Sequence, residues 1–513
     1  MKTLTLLGYF LAGLAVKWAV ALWNRPRRRY PPGPKGLPIL GNIFNVPLEN
    51  SWLVFTDWAR QYGSDVIHVE ALGKHICVVN SAKAAKELFH GRPHIYNDKE
   101  QSVMLLELTG WRRAWVMRPY DDYWREHRRL FHQHFRPMAV PQYHPKQTKA
   151  VRRLLPLLLD TPGDFYRHIR YMSGSSILDV VYALDVRPGD PRLKLVEKAA
   201  DTSNHIVNAG VYLVDIIPIL KHIPTWFPGA QFKRDAARYK KWVDAMYETP
   251  YNQFKDAMRE GKAQPCFTAA LLSQADADTT NTPELDEIFM SLTGTAYVAG
   301  SDTTVIALTT FLLAMVLHPE EQAFVQEELD RVVGRDRLPE MADRESLPRV
   351  TAVMQEALRW HSPLPLATPH RAMTDDEYNG YHIPAGSIVM GNSWAILHDE
   401  ETYPDSYSFN PTRFLSAAGT LRDDVPFPGE VFGYGRRICP GRYFAVDTLF
   451  LAIAHILAVF TVERAVDQDG DIIEVKEDFT PQFLSLPKPF KAHFKPRFPG
   501  VEGLIRAAAL EDS

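Results

Sequence analysis

A long apolar run near the middle of the chain constrains the fold more than any other feature. From about Leu285 to Leu317 the residues are almost continuously apolar, and about 30 residues predict a helix about 45 Å long. A helix that is apolar all round must be buried, so this run predicts a large domain built around it. The polar pair Asp302-Thr303 stands inside the run, where it needs hydrogen-bond partners or water.

Two interpretations of this polar pair are open. In the first, Thr303 donates to the carbonyl of Ala299 four residues earlier, and neither polar residue has a further role. In the second, the small residues Ala299 and Gly300 leave a groove for a small ligand, and the carboxylate and hydroxyl relay protons to it from water. The second interpretation makes Asp302 and Thr303 candidate catalytic residues.

A run rich in glycine and arginine contains a cysteine near the C-terminal end of the chain. It reads Phe432-Gly433-Tyr434-Gly435-Arg436-Arg437-Ile438-Cys439-Pro440-Gly441. Its glycines let the backbone approach a flat ligand, and an apolar helical pattern begins near Arg442. A helix N-terminus and neighbouring arginines lower the pKa of a thiol, and a thiolate can hold haem iron. A buried structural cysteine is the alternative for Cys439.

This run resembles the haem-binding loop of the cytochrome P450 family, and other motifs of that family occur in its order. They are Trp124-x-x-x-Arg128, Ala299-Gly300-x-Asp302-Thr303, Glu356-x-x-Arg359 and Asn410-Pro411-Thr412-Arg413-Phe414. The resemblance extends from about Tyr30 to Pro499. It implies the cytochrome P450 fold, mainly α with a minor β region, and haem b (iron protoporphyrin IX) as cofactor. It also implies that Cys439 is the axial ligand of the haem iron.

The resemblance further implies which residues contact the haem. The propionate partners would be Trp124, Arg128, His370, Arg371 and Arg437, and the other cofactor-binding residues would be Ala299, Gly300, Phe432, Gly433 and Gly441. Trp124 and Arg128 are four residues apart in a helical pattern, so they face the same way and can meet one anion. Without the resemblance, the arginines of this segment would be interpreted as a solvated basic face.

Glu356 and Arg359 are three residues apart in a helical pattern and can form an ion pair. Such pairs usually lie on the surface, where they contribute about 0 to 1 kcal/mol. The resemblance implies instead a buried clamp that Arg413 completes. Thr412 departs mildly from the family, which usually has an acid there. The predicted role of this clamp is structural.

The length of 513 residues is, as a rough guide, enough for three or four domains. The sequence shows no linker or repeat to support such a count, so a single large catalytic domain is expected. Strands are predicted at 65–69 and 75–79, around a Gly73-Lys74 turn, and again near 381–383 and 387–392. A strand is also indicated at Leu364-Pro365-Leu366, and the polar stretch 263–284 is interpreted as a loop between helices.

Charge and cysteine content exclude some classes of function. The net charge is −3, so nucleic acid is not an expected partner. The chain has three cysteines, which excludes a disulfide framework and suits a reducing compartment.

The N-terminal residues predict membrane attachment. Residues 1–24 are interpreted as a transmembrane anchor, because the segment from Leu4 to Trp23 is long and apolar enough to cross membrane lipid. Residues 25–38 form a basic, proline-rich hinge, and 39–513 form the catalytic domain. The arginines after the anchor place this domain on the cytoplasmic side, and the resemblance implies a single-pass protein of the endoplasmic reticulum membrane. A cleaved signal peptide is the alternative.

The resemblance implies a monooxygenase that uses dioxygen and two electrons. The chain contains neither a dinucleotide-binding fingerprint nor a flavin module, so a partner must supply the electrons. The family implies an NADPH-dependent cytochrome P450 reductase, with cytochrome b5 as a further donor. The predicted docking surface comprises Arg125, Arg129, Arg436 and Arg442, because opposite charges steer encounter.

The predicted substrate is a hydrophobic small molecule. The segments expected to line its site are mostly apolar and aromatic: 96–108, 207–214, 297–301, 364–368 and 479–483. Similarity to fungal members of secondary metabolism favours a terpenoid, ahead of aromatic polyketides and xenobiotics. Two other functions remain open. One is a haem-thiolate isomerase or dehydratase of the same fold, which the intact Asp302-Thr303 pair opposes, and the other is a non-catalytic haem-binding membrane protein.

Overall fold

The structure is a computed structural model that describes residues 28–208, 212–277 and 282–511. Its α-helices in the first half of the chain are α1 Ser51–Tyr62, α2 Ala82–Ala85, α3 Pro93–Tyr96, α4 Asp122–Phe135, α5 His144–Asp160, α6 Phe165–Tyr182, α7 Pro191–Asn208, α8 Leu213–Ile216 and α9 Gln231–Arg259. Those that follow are α10 Phe267–Ala277, α11 Pro283–Leu317, α12 Pro319–Val332, α13 Pro348–Trp360, α14 Ser393–Leu397, α15 Arg442–Val459 and α16 Val501–Glu511.

The described part of the chain also contains short strands. They are β1 Val66–Ala71, β2 Lys74–Val79, β3 Asp98–Lys99, β4 His370–Arg371, β5 Asp376–Tyr378, β6 Tyr381–Ile383, β7 Ile388–Gly391, β8 Phe460–Arg464 and β9 Ala492–Pro496. One sheet has the order β1-β2-β7-β4-β3, and two further sheets pair β5 with β6 and β8 with β9. The predicted mainly helical fold with a minor β region is confirmed.

The predicted central helix is present as α11. The Thr282 side chain caps its N-terminus by accepting from the backbone N–H of Leu285 at 3.3 Å. Helices α6, α7, α9, α13 and α15 pack around it. Both α11 and α15 are long and apolar enough to cross a membrane, but 78% and 67% of their most apolar windows are buried in the protein. These two helices therefore form the core of the domain.

The first hairpin turns one residue earlier than predicted, because Lys74 already pairs with Ala71 in the sheet. Leu72 and Gly73 connect β1 to β2 with φ angles of 51° and 82°, as expected for a two-residue turn that follows the twist of the strands. Further along the same sheet, β4 pairs with β3 and places Lys99 opposite His370. Sheet pairing thus joins two segments that are far apart in sequence.

Two local predictions were wrong. Leu364-Pro365-Leu366 lies in a turn rather than a strand, because proline cannot donate to a sheet. The stretch 263–284 contains helix α10, whose residues Phe267 and Leu271 are fully buried. Because the stretch is mostly polar, the sequence did not indicate that two of its apolar residues would pack into the core and hold a helix there.

The described part of the hinge is attached to the domain. Arg28 forms an ion pair with Asp375 at 2.6 Å, and the Pro32 carbonyl accepts from His68 N–H at 3.0 Å. The Tyr30 ring stacks on the His68 ring with centroids 5.0 Å apart. The predicted anchor, residues 1–24, lies outside the described residues.

Candidate active site

The loop before Cys439 is closed by a backbone hydrogen bond. Cys439 N–H donates to the Phe432 carbonyl at 2.7 Å. Gly433 has a φ of 80° and open space where a Cβ would stand, which agrees with an approach by a flat ligand. Position 435 requires glycine because the backbone of Phe89 is close: a Cβ there would lie 2.4 Å from the carbonyl oxygen of Phe89. The expectation that both glycines face the ligand was therefore wrong for Gly435.

The ionisation of Cys439 differs from the prediction. Burial raises the pKa of its thiol, although the Gly441 N–H and the positive charges of Arg128 and Arg442 act in the opposite direction. The predicted lowering was wrong because desolvation outweighs these contributions. A bound metal cation deprotonates a coordinating thiol outright. The surrounding positive charges therefore favour the thiolate, but deprotonation of Cys439 requires a bound metal.

Three cationic side chains lie around this loop: Lys99 is buried, and Arg128 and Arg437 are half-buried. Arg437 donates to the backbone carbonyls of Asn97 and Arg118 at 2.6 and 2.7 Å, and Arg128 donates to the Ile438 carbonyl at 2.8 Å. Lys99 is 3% exposed. Its Nζ donates to the Thr368 carbonyl and hydroxyl at 2.9 and 2.7 Å. Within residues 28–208, 212–277 and 282–511, none of the three cations forms an ion pair with a carboxylate.

Burial lowers the pKa of all three cations, that of Arg437 to about 10 and that of Lys99 well below its usual value. Asp98 and Asp121 oppose the shift at Arg437, but neither forms an ion pair with it. Charges removed from water without an ion-pair partner are costly, so the cluster favours an anionic ligand. The Arg437 guanidinium lies over the Trp124 ring, 4.3 Å from its centroid. Trp124 Nε1 is buried and has no protein partner among the described residues. Two carboxylates, such as the propionates of haem, would satisfy these groups.

Arg371 forms an ion pair with Asp98 at 2.7 Å, and His370 fits the propionate role less directly. Its Nδ1 and the Tyr96 carbonyl are 2.7 Å apart, so Nδ1 must carry the proton and Nε2 is free of one in the neutral ring. Burial and the charges of Lys99 and Arg437 hold the pKa of His370 well below its usual value. The ring would therefore have to gain a proton before Nε2 could donate to a propionate.

Sequence reasoning missed Lys99. It stands in the polar run 97–101, which carries no family motif, and only the pairing of β3 with β4 places it beside His370. No local sequence pattern indicates that a lysine within a polar run will be buried.

The middle of α11 is less buried than the helix on either side of it. Ala299 is exposed and Gly300 and Thr303 are half-buried, although most of the helix around them is buried. Helix α11 packs against α4, which carries Trp124, and against α15, which follows the Cys439 loop. Cys439 is also half-buried. We infer that these surfaces face one chamber, where a flat ligand can lie between α11 and the cysteine.

The polar pair of α11 makes two different contacts. Thr303 Oγ1 donates to the Ala299 carbonyl at 2.8 Å, as the first interpretation of the pair expected. Asp302 Oδ1 accepts from Arg170 at 3.1 Å. Burial raises the pKa of Asp302 to about 6, and the positive charge of Arg170 opposes this shift.

Gly300 is small for a reason other than the predicted one. A Cβ at this position would lie 3.1 Å from Ile177 Cγ1, and the Gly300 carbonyl accepts from Ser173 Oγ at 2.8 Å. Both partners lie on α6. The glycine therefore lets two helices approach each other, where the sequence predicted a groove for a small ligand.

The predicted clamp is buried. Glu356 accepts from Arg359 at 2.7 and 2.8 Å, and Arg413 Nε donates to Glu356 at 3.2 Å. The Glu356 and Arg359 side chains are 0% exposed. Arg359 also donates to the carbonyls of Leu397 and Ser406 at 2.9 and 2.7 Å. The clamp thus fixes the chain that leads into the cysteine loop, and the surface interpretation was wrong.

Comparison with known proteins identifies the family. The sequence matches the cytochrome P450 family over residues 31–494. The chain belongs to this family. It is 39% identical to cytochrome P450 monooxygenase ple1 of Rhodocybe pseudopiperita over 502 residues, which cover 97% of this chain and 95% of that protein. It is 38% identical to tryptamine 4-monooxygenase of Psilocybe cyanescens over 475 residues, which cover 92% and 94%.

Membership decides the class of enzyme and its cofactor. The protein is a cytochrome P450 monooxygenase with haem b, and such enzymes act on hydrophobic substrates with dioxygen and electrons from a redox partner. Lys99, Arg128 and Arg437 around the Cys439 loop fit this cofactor, since their positive charges match its acidic groups. The alternative of a non-catalytic haem-binding protein was therefore wrong, and the predicted similarity to fungal members is confirmed.

Proposed function

We propose that this enzyme hydroxylates an uncharged hydrophobic molecule, with a terpenoid as the first candidate class. Aromatic polyketides and xenobiotics are the next candidates. The observation that supports this proposal is the pairing of carboxylates in the segments predicted to line the chamber. The pairs are Asp98 with Arg371, Glu100 with Lys74, and Glu107 with Lys221.

Asp215, just beyond one of these segments, is engaged in the same way. Its Oδ1 accepts from Ser102 Oγ and from the backbone N–H of Met104, both at 3.0 Å. Among the described residues, these segments therefore offer no unengaged carboxylate to a cationic amine, and burying an unpaired ammonium group is costly. This favours an apolar substrate over an amine such as the one named for the relative from Psilocybe cyanescens.

Ligand binding tests this proposal. Purified enzyme is expected to show substrate-type changes in the haem absorption spectrum with members of a terpenoid library, and no such change with tryptamine at equal concentration. NADPH consumption in the presence of a reductase should then follow the compounds that bind. Tight binding of tryptamine, with no response to any neutral apolar compound, would contradict the proposal.

The residues of the site divide the chemistry among them. Haem, when bound, supplies the activation of dioxygen and the transfer of one oxygen atom to the substrate. In this proposal Cys439 Sγ would hold the iron, and Trp124, Arg128 and Arg437 would bind the propionates together with Lys99. Apolar side chains of the segments predicted to line the chamber would exclude water.

Asp302 and Thr303 are proposed to deliver protons. A carboxyl group with a pKa of about 6 can both accept and release a proton near neutral pH. Thr303 Oγ1 donates to the Ala299 carbonyl, which leaves its lone pairs available to accept a hydrogen bond. Because Ala299 and Thr303 both expose surface in the middle of α11, a proton held at Thr303 would stand at the edge of the chamber.

Replacing Thr303 by alanine tests this relay. We expect haem binding to be retained and product formed per NADPH to fall about tenfold or more, since a positioned acid–base group contributes about 10²–10⁴ in rate. Hydrogen peroxide should account for the missing electrons. Thr309→Ala is the matched control, because Thr309 makes the same bond to the carbonyl four residues earlier, at 2.8 Å. Fully coupled product formation in Thr303→Ala would rule out the relay.

An NADPH-dependent cytochrome P450 reductase is the proposed electron donor, with cytochrome b5 as a second donor. Of the predicted docking arginines, Arg125 and Arg129 are exposed, but they pair with acids on their own helix, Asp122 and Glu126. These ion pairs weaken the positive electrostatic field that the two arginines could present to a docking partner. Arg436 is exposed and bonds the hydroxyl of a tyrosine, so its charge is better placed for docking.

Arg442 has a further role. Its guanidinium donates to the Cys439 carbonyl at 3.1 Å, which ties it to the haem loop. A change at Arg442 would therefore alter the haem site as well as the docking surface.

We also propose the predicted topology, with an anchor at 1–24, a hinge at 25–38 and a catalytic domain at 39–513. A single-pass protein in the endoplasmic reticulum membrane with a cytoplasmic domain would follow. Attachment of Arg28 and Tyr30 to the sheet region supports it, because the chain would leave the domain at a fixed point.

A further inference from the structure

A short loop near the C-terminal end of the chain, residues 479–486, is closed by its own hydrogen bonds. Thr480 N–H donates to the Leu486 carbonyl at 2.8 Å, and Leu486 N–H donates to Thr480 Oγ1 at 3.1 Å. Ser485 Oγ donates to the Thr480 carbonyl at 2.8 Å. These bonds give the 479–486 loop one defined shape.

The base of the 479–486 loop is fixed by His361, which follows the end of α13. The rings of His361 and Phe479 stack with centroids 3.5 Å apart, and His361 Nε2 lies 2.8 Å from Ser485 Oγ. Because the single hydroxyl proton of Ser485 goes to Thr480, His361 Nε2 must be the donor of this bond. Burial holds the pKa of His361 well below its usual value, so the ring is neutral. The base of the loop is therefore held by contacts inside the core.

The tip of the 479–486 loop is held by fewer contacts. Phe483 N–H donates to Asn208 Oδ1 at 2.8 Å, and the Pro481 carbonyl accepts from the backbone N–H of Asn50 at 3.2 Å. Asn208 is the last residue of α7 and is half-buried, and Gln482 at the tip is exposed. A single neutral side chain thus ties the tip to α7, whereas the base is buried and bonded at several atoms.

The loop and the end of α7 border one space beside the central helix. A cleft of about 380 Å³ lies where the 479–486 loop, α7 and α11 meet. Its lining includes Asn208 together with Val305, Ile306, Leu484 and Leu486. The sequence predicts that segments 207–214 and 479–483 line the substrate chamber. The hydrogen bond from Phe483 to Asn208 joins these two segments directly.

We propose that Asn208 is a positioning residue for the tip of the 479–486 loop, and that it thereby determines which bulky substrates the enzyme accepts. This inference rests on the proposed function, because it takes both segments as walls of the substrate chamber. With the base of the loop fixed by His361, the bond between Asn208 and Phe483 sets the distance between the two walls. An apolar pocket selects its ligand by the fit of its walls, so this distance affects large molecules and spares small ones.

Two imidazoles of different size test this role. An imidazole nitrogen can ligate haem iron, so the release of imidazole and of 1-tritylimidazole from the ferric enzyme can be followed by absorbance. In Asn208→Ala the tip loses one neutral hydrogen bond, which corresponds to about a two- to tenfold change in an equilibrium. Release of 1-tritylimidazole should become about two- to tenfold faster. Release of imidazole should keep the wild-type rate, because this molecule is too small to reach the tip.

Two variants are the controls for Asn208→Ala. Asn208→Asp keeps an oxygen that can accept from Phe483 N–H, so it should release 1-tritylimidazole at the wild-type rate. Ser203→Ala should do the same, because Ser203 is half-buried on α7 and its Oγ donates to the Ala200 carbonyl of that helix at 2.8 Å. A wild-type rate in Asn208→Ala, or an equal acceleration for both imidazoles, would overturn the positioning role.

Unfolding in urea separates positioning of the tip from a general effect on stability. Ser485→Ala leaves the buried Nε2–H of His361 without its partner, so it should lower the urea midpoint clearly. Asn208→Ala should keep a midpoint close to that of Ser203→Ala, since Asn208 is half-buried. A fall in Asn208→Ala as large as that in Ser485→Ala would overturn a role confined to the tip.

The failure of this inference can be told apart from the failure of the proposed function, because imidazoles bind through the iron whatever the natural substrate is. If Asn208→Ala accelerates the release of 1-tritylimidazole alone while no neutral apolar compound binds as a substrate, the positioning role stands and the proposed substrate class is wrong. If neutral apolar compounds bind and Asn208→Ala keeps wild-type release rates, the substrate class stands and this inference is wrong.

Discussion

Serine at position 439 is expected to abolish monooxygenase activity. The hydroxyl of Cys439→Ser would be a far weaker ligand for iron than a thiolate, and the electron donation that favours cleavage of dioxygen would be lost. The purified variant should contain little haem, or haem whose reduced carbon monoxide complex lacks the thiolate spectrum. Haem quantitation and that spectrum measure the two outcomes.

Cys266→Ser provides the matched control for this change. Cys266 is 9% exposed, and its Sγ accepts from the backbone N–H of Ala269 at 3.4 Å. A serine there can accept the same hydrogen bond at the start of α10, so haem content and spectrum should remain those of the wild type. A thiolate spectrum that persists in Cys439→Ser, or is lost in Cys266→Ser, would assign the iron ligand to another residue.

Neutralising the clamp is expected to have the largest effect on stability. Glu356→Gln keeps the shape of the side chain but leaves the buried Arg359 without a counter-charge. Breaking a buried ion pair in this way costs about 3–5 kcal/mol, a large part of the 5–15 kcal/mol by which a typical domain is stable. The free energy of unfolding in urea should fall by that amount, and haem should be lost at lower urea concentration.

The control for the clamp is an exposed pair. Glu327 is 76% exposed and lies 3.3 Å from Arg349, so Glu327→Gln should cost less than about 1 kcal/mol. Equal unfolding free energies for Glu356→Gln and Glu327→Gln would show that the buried network does not stabilise the domain.

The sequence predicted those parts of the fold that depend on interactions between residues close together in the chain. The apolar run around Asp302 specified α11, and the Gly73 turn specified the first hairpin. The order of motifs around Cys439 predicted the family. In each case the deciding residues are neighbours in the chain, or belong to a motif whose spacing is long enough to be distinctive.

Contacts between distant segments could not be predicted. Lys99 joins the cation cluster through a pairing of β3 with β4 that spans some 270 residues, and Arg170 meets Asp302 across 132 residues. Gly300 is small because α6 approaches it. The pKa of Cys439 depends on how far desolvation outweighs nearby charge. All four depend on tertiary packing.

The ligation of the iron is the central claim of this account. X-ray absorption at the iron edge of the purified ferric enzyme measures the atoms bonded to the iron directly. We expect one sulfur neighbour in addition to the porphyrin nitrogens, and its loss in Cys439→Ser. A first shell made only of nitrogen and oxygen in the wild-type enzyme would contradict the assignment of Cys439 as the haem ligand.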